Sequence, residues 1–375
     1  MAGKGSFSLS AYAQEPKIVT NVTTPFKGVD MRGIYTNLVE NRDKSISNAP
    51  KDYYEDSFRA ISQAGMNLVR YLYFWEGYVK NPSAFMNEIN TVAQTADKYG
   101  VKVIYTNDQY HTSSWLEPEA GYGFPSFLFE SDAKEYPKGS GGGPKSPTDK
   151  VWWANWLNRA IKDTNGIDGW TLQADFMKKI VNAVDKHPST LGYEILNEPH
   201  VYSIDSWQKV GNYNSFITNQ LRTVTQKIVV FDRQASPGIG GPEGITPENM
   251  AKMAPSNKTN VVFKATLFGA PEPGTITGER FNTYVRTAQI AGVPLCFCEF
   301  SVKPYGSQKV SPLDQQQVNF FIQKFAQAKV WGWALWIWDF NPRENANFNL
   351  ATFKGNNLKT TPIIDFVKNA ISESR

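Results

Sequence analysis

The chain has 375 residues, 41% of them hydrophobic, with 39 basic and 35 acidic residues for a net charge of +4. That apolar content suits one large α/β domain, and charges scattered without a basic run lack the footprint of a nucleic-acid binder. No apolar stretch reaches the roughly 20 residues that a membrane helix needs.

Residues 1–24 form a polar leader. Within it, Ala11-Tyr12-Ala13 before Gln14 has the small-x-small form of a signal-peptidase site; a signal remnant, and with it an extracellular protein, is one expectation, and a disordered Ser/Ala-rich leader is the other. From there strand-like and helix-like patterns alternate. The patterns predict strand 26–35, helix 53–65, strand 67–73, helix 83–99 closed by Gly100, and strand 101–108. A long irregular segment follows at 109–170, carrying Lys138-Gly139-Ser140-Gly141-Gly142-Gly143-Pro144 and the tryptophans 115, 152, 153, 156 and 170. A segment of that size is usually functional or mobile. Mini-core packing is the expected role for most of its tryptophans.

Helix 171–186 leads to a strand over Leu191-Gly192-Tyr193-Glu194-Ile195-Leu196-Asn197-Glu198, which Pro199 closes because it has no N–H to give a ladder. Helix 206–225, strand 227–233, a short helix, strand 260–268, helix 277–291, strand 294–300, helix 314–329, strand 332–340 and helix 361–371 complete the pattern. Eight strands each followed by a helix predict a (β/α)8 TIM barrel, a single domain over 25–375 with an insertion at about 109–170. An open doubly wound sheet is the alternative, and it needs a glycine-rich phosphate turn after strand 1. Gly28-Val29-Asp30-Met31-Arg32-Gly33 lies within the strand and is not that turn. The two cysteines, Cys296 and Cys298, are read as buried free thiols under the helices, since neighbours on one face of a strand rarely meet disulfide geometry. With three histidines and no His/Cys cluster, no metal and no cofactor is expected.

In a barrel of this kind active residues gather at the carboxyl ends of the strands, where Arg70, Asp108, Glu198, Glu299, Trp336 and Trp338 fall. Strand parity groups Leu295, Phe297 and Glu299 on one face and the cysteines on the other, which points Glu299 into the mouth. Glu198 faces it from strand 4. Separation of the two carboxyls by about 5–5.5 Å means double displacement with retention, and about 6.5–9.5 Å means inversion. Each glutamate alone is better read as a helix cap or an ion-pair partner; two on one rim beside Asn197, Arg70 and Trp336 favour catalysis. Arg70 is inward by parity, and a guanidinium near Glu299 keeps that carboxylate ionised, as a nucleophile needs. Glu194, deeper on strand 4, requires a cation, for which Lys264 and Arg32 are the candidates. Trp336 offers a wide aromatic floor for the apolar side of a sugar ring.

With these residues in view, the chain from Phe26 on resembles glycoside hydrolase family 5, retaining barrel enzymes of β-linked glycans. The resemblance rests on the segment from His187 through Pro199, on Glu299-Phe300, and on Gly332 to Trp336. It implies Glu198 as general acid/base, Glu299 as nucleophile, Asn197 as partner of the sugar 2-hydroxyl, Arg70 as support for the nucleophile, and Trp336 as sugar platform. Asp108, His111 and Trp338 complete the expected substrate contacts, while His187 falls at the opposite end of the barrel as a structural residue. Two places depart from the family pattern. The strand-6 His-x-Tyr pair is replaced inwardly by Thr266 and Phe268, and the strand-3 His-Gln-Tyr reads Asp108-Gln109-Tyr110. Tyr305 or Tyr110 is expected to stand in for the missing tyrosine at Glu299. The function implied is a secreted, monomeric glycoside hydrolase cleaving β-1,4-linked glucan or mannan. An inactive carbohydrate-binding barrel and a transglycosylase on similar glycans are the alternatives.

Overall fold

The computed structural model describes residues 25–33, 52–144, 146–232, 244–301, 315–339, 349–354 and 357–373. The leader and Tyr305 lie outside them.

The barrel strands are β1 (Phe26–Arg32), β2 (Leu68–Tyr73), β3 (Lys102–Asn107), β4 (Thr190–Glu194), β5 (Ile228–Asp232), β6 (Val261–Phe268), β7 (Leu295–Ser301) and β8 (Gly332–Leu335). They pair in sequence order, all parallel, and β1 closes on β8 from Phe26 opposite Gly332 to Val29 opposite Leu335. The helices are α1 (Tyr53–Gln63), α2 (Trp75–Lys80), α3 (Pro82–Tyr99), α4 (Phe127–Glu130), α5 (Pro147–Leu157), α6 (Gly169–Val184), α7 (Ser206–Leu221), α8 (Pro247–Ala251), α9 (Ile276–Ala291), α10 (Gln315–Gln327) and α11 (Pro362–Glu373). The expected (β/α)8 TIM barrel is the fold observed. Sequence patterning missed α2, the two helices α4 and α5 inside the insertion, and an antiparallel hairpin of β9 (Ala351–Lys354) and β10 (Asn357–Thr360).

Local signals set the helix ends. Asn81 accepts a hydrogen bond from the Ala84 N–H ahead of Pro82, and α3 ends on Gly100 in the left-handed region at φ 66°. In β4, Gly192 permits close strand approach, because a Cβ there would meet the Ile228 carbonyl oxygen at 2.3 Å.

The barrel interior is layered. Leu68, Ile104, Val230, Val262, Cys296, Cys298 and Ala334 form an apolar floor. Two residues further along each strand the interior turns polar: Arg70 follows Leu68, Thr106 follows Ile104, Asp232 follows Val230 and Lys264 follows Val262, all buried. The floor corrects the reading of the cysteines. They face the barrel axis, not the helices, and are joined in a disulfide with Cα atoms 5.2 Å apart. An extended strand separates such neighbours by about 6.6 Å; β7 is bulged between its Phe297 and Phe300 pairings with β8, which shortens the spacing into disulfide range.

That bulge also corrects the parity argument for Glu299. Phe297 packs outward against Phe281 and Phe325, while Cys298 and Glu299 both face inward. The inward direction expected for Glu299 is observed, but the extra residue of the bulge produces it.

Candidate active site

Arg70 is the centre of the polar layer. Its Nε and Nη2 bind the two oxygens of Glu194 at 2.7 and 2.8 Å, Nη2 also reaches Asn197 Oδ1 at 2.7 Å, and Nη1 reaches Asp30 at 3.1 Å and Glu299 Oε2 at 3.3 Å. Glu194 therefore takes its cation from Arg70 and not from Lys264 or Arg32. A planar fork matches a carboxylate edge, whereas the Lys264 ammonium is engaged elsewhere. Arg32 reaches the rim instead, donating to Tyr122 Oη at 2.8 Å with its guanidinium 5.7 Å from the Trp336 ring centroid.

Lys264 is fully buried, with its ammonium within 3.0 Å of four acceptors. These are Asn197 Oδ1 at 2.8 Å, Asp232 Oδ2 at 2.8 Å, Glu299 Oε2 at 2.9 Å and Thr266 Oγ1 at 3.0 Å. It supplies a donor at Glu299, where one was expected from Tyr110 or Tyr305, the latter outside the described residues. Tyr110 instead stacks on His111, with ring centroids 3.9 Å apart.

Two cations thus face four carboxylates, those of Asp30, Glu194, Asp232 and Glu299, in a water-poor interior. Burial pushes Asp30 well above the ordinary carboxylate range against the pull of Arg70. Burial also drives Asp232 up to about 8 against Lys264, with the charges of Glu194 and Glu198 adding to the push. Glu194 goes the other way: burial, the largest influence, opposes its charge, but Arg70, Lys264 and Thr106 together hold it below its usual value. Burial and Arg70 disfavour the Lys264 charge, yet Asp232, Glu299 and Glu194 together hold it above its usual value. The layer is thereby arranged near electrical balance.

Asn197 and Glu198 follow the end of β4. The Asn197 N–H donates to the Asn107 carbonyl at 2.9 Å, and the Glu198 N–H donates to Asp232 Oδ2 at 2.6 Å. Gln109 Nε2 donates to both carbonyls, at 3.1 Å for Asn197 and 2.9 Å for Glu198. Glu198 is held at φ 43°, a left-handed conformation that is uncommon outside glycine, and is half-buried where Asn197 is buried. The hydrogen-bond chain Glu299, Lys264, Asp232, Glu198 links the two glutamates across the mouth.

The other expected residues divide. Asp108 is buried at the end of β3 with its pKa pushed up to about 7, chiefly by burial, against Arg70 and Arg32. His111 sits at the start of the insertion, its Nδ1 2.9 Å from Glu117 Oε2. Trp336 is half-buried at the rim near Arg32, and its peptide bond to Ile337 is cis. Trp338 is a correction: it is fully buried against the helix layer, its indole N–H donating to Ser57 of α1 at 2.9 Å, and does not face the mouth. His187 pairs with Asp97 at 2.6 Å, away from the site.

Sequence reading missed Lys264 and Asp232 as site residues, and Arg32 and Tyr122 as rim residues. A lone lysine within Val261-Val262-Phe263-Lys264-Ala265-Thr266 and a lone carboxylate closing Ile228-Val229-Val230-Phe231-Asp232 were the available signals. Behind the rim, the insertion is tied down by a buried carboxylate. Asp149 of α5 accepts from Thr112 and Tyr202 and lies 2.8 Å from His200 Nδ1, two residues beyond Glu198. Trp152, Trp153 and Trp156 are buried around Phe124, the packing role expected for most tryptophans of this segment. Among the described residues no cluster of three or more His, Cys, Asp or Glu is arranged to hold a metal ion, and no helix is long and apolar enough to cross a membrane.

Acids poised at the strand ends of a closed parallel barrel, with an asparagine and a guanidinium between them, mark the class of barrel glycoside hydrolases. The family model described as Cellulase (glycosyl hydrolase family 5) matches residues 27–342, and the chain belongs to that family. Among curated proteins it is 27% identical over 172 residues to an endoglycoceramidase of Hydra vulgaris, a match covering 39% of this chain and 32%, about a third, of the relative. Among solved structures it is similar in fold to an endogalactoceramidase (TM-score 0.66, 16% identity, 96% of this chain and 84% of that one). It is likewise similar to endo-glycoceramidase II from Rhodococcus sp. bound to a five-membered iminocyclitol (0.65, 15%, 92% and 78%). A Pseudomonas stutzeri endoglucanase shares the fold at TM-score 0.59 and 14% identity over 92% of this chain and 94% of that one.

Proposed function

We propose that this chain hydrolyses a β-glycosidic bond by double displacement with retention. Glu299 attacks the anomeric carbon as the bond to the leaving oxygen breaks and Glu198 donates its proton to that oxygen. Water then adds to the same carbon, giving a proton back to Glu198 and releasing Glu299 from the glycosyl ester. Asn197 holds the sugar 2-hydroxyl, and Trp336 and His111 line the sugar's approach. The observation that carries the reading is the cradle that Arg70 and Lys264 form on one oxygen of the Glu299 carboxylate at a barrel mouth, which fixes that group in place for attack.

The expected substrate is β-1,4-linked glucan or mannan. A second reading is a glycan linked to a lipid. It is favoured by three exposed isoleucines, Ile204, Ile245 and Ile276, at 51%, 38% and 71% of full exposure. They stand at the starts of α7, α8 and α9, on three successive loops around the mouth, where a lipid chain needs apolar surface. The endoglycoceramidase names of similar proteins agree with it.

Wild type, Glu299→Ala and Glu198→Ala are assayed on carboxymethylcellulose, mannan and lactosylceramide in detergent, with the anomer of the first product followed by NMR. Turnover of at least one substrate with a β product, lost by on the order of 10³-fold or more in each variant, is expected. Undiminished turnover in either variant, or an α product, refutes the mechanism. Oligosaccharide binding without product from wild type identifies an inactive binding barrel, and transfer to added sugar acceptors identifies a transglycosylase.

A further inference from the structure

We propose that Lys264 and Asp232 act as a positioning pair that sets the two glutamates in concert, Lys264 holding the charge of Glu299 and Asp232 fixing the backbone that presents Glu198. The inference rests on the double-displacement reading of the site and adds a division of labour to it.

Both residues are fully buried and bonded to each other, and each also contacts one of the glutamates. An ammonium has three hydrogens, and Lys264 places them among four oxygens, so one is shared and none is left for solvent. A side chain held on four sides cannot follow Glu299 if it moves; it defines where Oε2 sits. Asp232 serves the other end. Glu198 occupies a left-handed conformation that a non-glycine residue keeps only where its surroundings impose it. The 2.6 Å bond from its N–H to Asp232 Oδ2 is such an imposition, with Gln109 clamping the carbonyl on the opposite side.

The groups that set the electrostatics around Glu299 are Asp30 on β1, Arg70 on β2, Asp108 on β3, Glu194 on β4, Asp232 on β5 and Lys264 on β6. Only Arg70 and Lys264 in that ring are cations, and both touch the same Glu299 oxygen. Without Lys264, a charge on Glu299 is held by Arg70 alone, which Glu194 already engages with two bonds. Asp232, pushed up to about 8 by burial, needs only to accept a hydrogen bond from Glu198, so an asparagine carbonyl can serve in its place.

The test uses the full chain with 2,4-dinitrophenyl β-cellobioside, whose leaving group departs without a proton, and with cellotetraose, whose leaving sugar needs one. Lys264→Met is expected to lower kcat/KM on both by on the order of 10–100-fold and to move the acidic limb of the pH profile to higher pH. Asp232→Ala is expected to lower kcat/KM on the order of 10–100-fold on cellotetraose but only a few-fold on the dinitrophenyl substrate. Asp232→Asn is expected to recover most of that loss. If a single variant does not fold, the double variant D232N/K264M removes the buried ammonium together with its carboxyl partner and is expected to show the same limb shift. An unmoved acidic limb, equal losses on the two substrates in Asp232→Ala, or no recovery in Asp232→Asn overturns the pair's role. Those results alongside inactive Glu299→Ala and Glu198→Ala overturn this inference alone. Normal activity in Glu299→Ala overturns the double-displacement reading and this one with it.

Discussion

Arg70→Met replaces a buried guanidinium with an apolar chain of similar reach, so its effect is almost purely electrostatic. Five hydrogen bonds disappear, two to Glu194 and one each to Asn197, Asp30 and Glu299. Glu194 suffers most, keeping Thr106 Oγ1 at 3.0 Å but losing both bonds of the fork. Removing one partner of a buried ion pair costs about 3–5 kcal/mol, a large share of the roughly 5–15 kcal/mol that stabilises a typical domain. The pH dependence follows from the sign of the Glu194 shift. Its carboxyl is held below its ordinary 4.5 when folded, so its pairing stabilises the protein above that pH and the contribution is lost as pH falls through the lower folded value. The gap between wild type and Arg70→Met should therefore be widest near neutrality and narrow below about pH 4. Urea unfolding followed by tryptophan fluorescence at pH 7 and pH 4 measures it. Adding Glu194→Gln removes the orphaned charge and should return about 2 kcal/mol of the loss without restoring activity, because Asn197 and Glu299 have lost their bonds from Arg70 and keep only those from Lys264. A loss under about 1 kcal/mol at pH 7, or a Glu194→Gln effect that adds to the damage, would refute the balance of charges described for the interior.

Asp108→Asn tests a shift of opposite sign. Burial raises Asp108 to about 7, so the folded state keeps a proton that the unfolded chain releases near 3.8, and stability falls as pH rises between those values. The variant should gain up to about 4 kcal/mol over wild type at pH 8 and nothing at pH 4, read by calorimetry; equal shifts at both pH values refute it. Trp336→Ala should raise KM about tenfold with little change in melting temperature, whereas Trp338→Ala should cost about 3–5 kcal/mol of stability with KM unaltered in the folded fraction. Asp149→Ala takes a shared buried acceptor from Thr112, His200 and Tyr202, and should cost about 1–3 kcal/mol and expose residues 109–168 to limited proteolysis. Protease resistance equal to wild type would show that the insertion is anchored elsewhere.

The barrel was legible because its signals are local: apolar strands alternate with capped helices, and Gly100 and Gly292 end two helices as the pattern requires. The two strand-end glutamates were legible for the same reason, since Pro199 stops one strand and the polar Glu299 closes the apolar run of the other. What parity could not reach were irregularities of register. Alternation assigns faces only along an unbroken strand, so the bulge in β7 reversed the cysteines and brought Glu299 inward by another route. Trp338 failed for a related reason: it was expected at the mouth from its place near the end of a strand predicted over 332–340, whereas β8 ends at Leu335. Lys264 and Arg32 were weighed only as partners for Glu194, because a sequence shows that a buried acid needs a cation but not which of several strands delivers it. The links from Asp149 to His200 and from Asp232 to the Glu198 backbone join residues 51 and 34 positions apart and leave no periodic trace.

The attachment of the insertion to His200 has a consequence for how this barrel can change. A loop that shapes the mouth is ordinarily free to be exchanged, but here its helix is bolted to the segment carrying Glu198, the proposed proton donor. Transplanting a different loop after β3 without a carboxylate for His200 would disturb the reacting geometry along with the choice of sugar, so substrate preference and chemical competence must be inherited, or redesigned, as one unit.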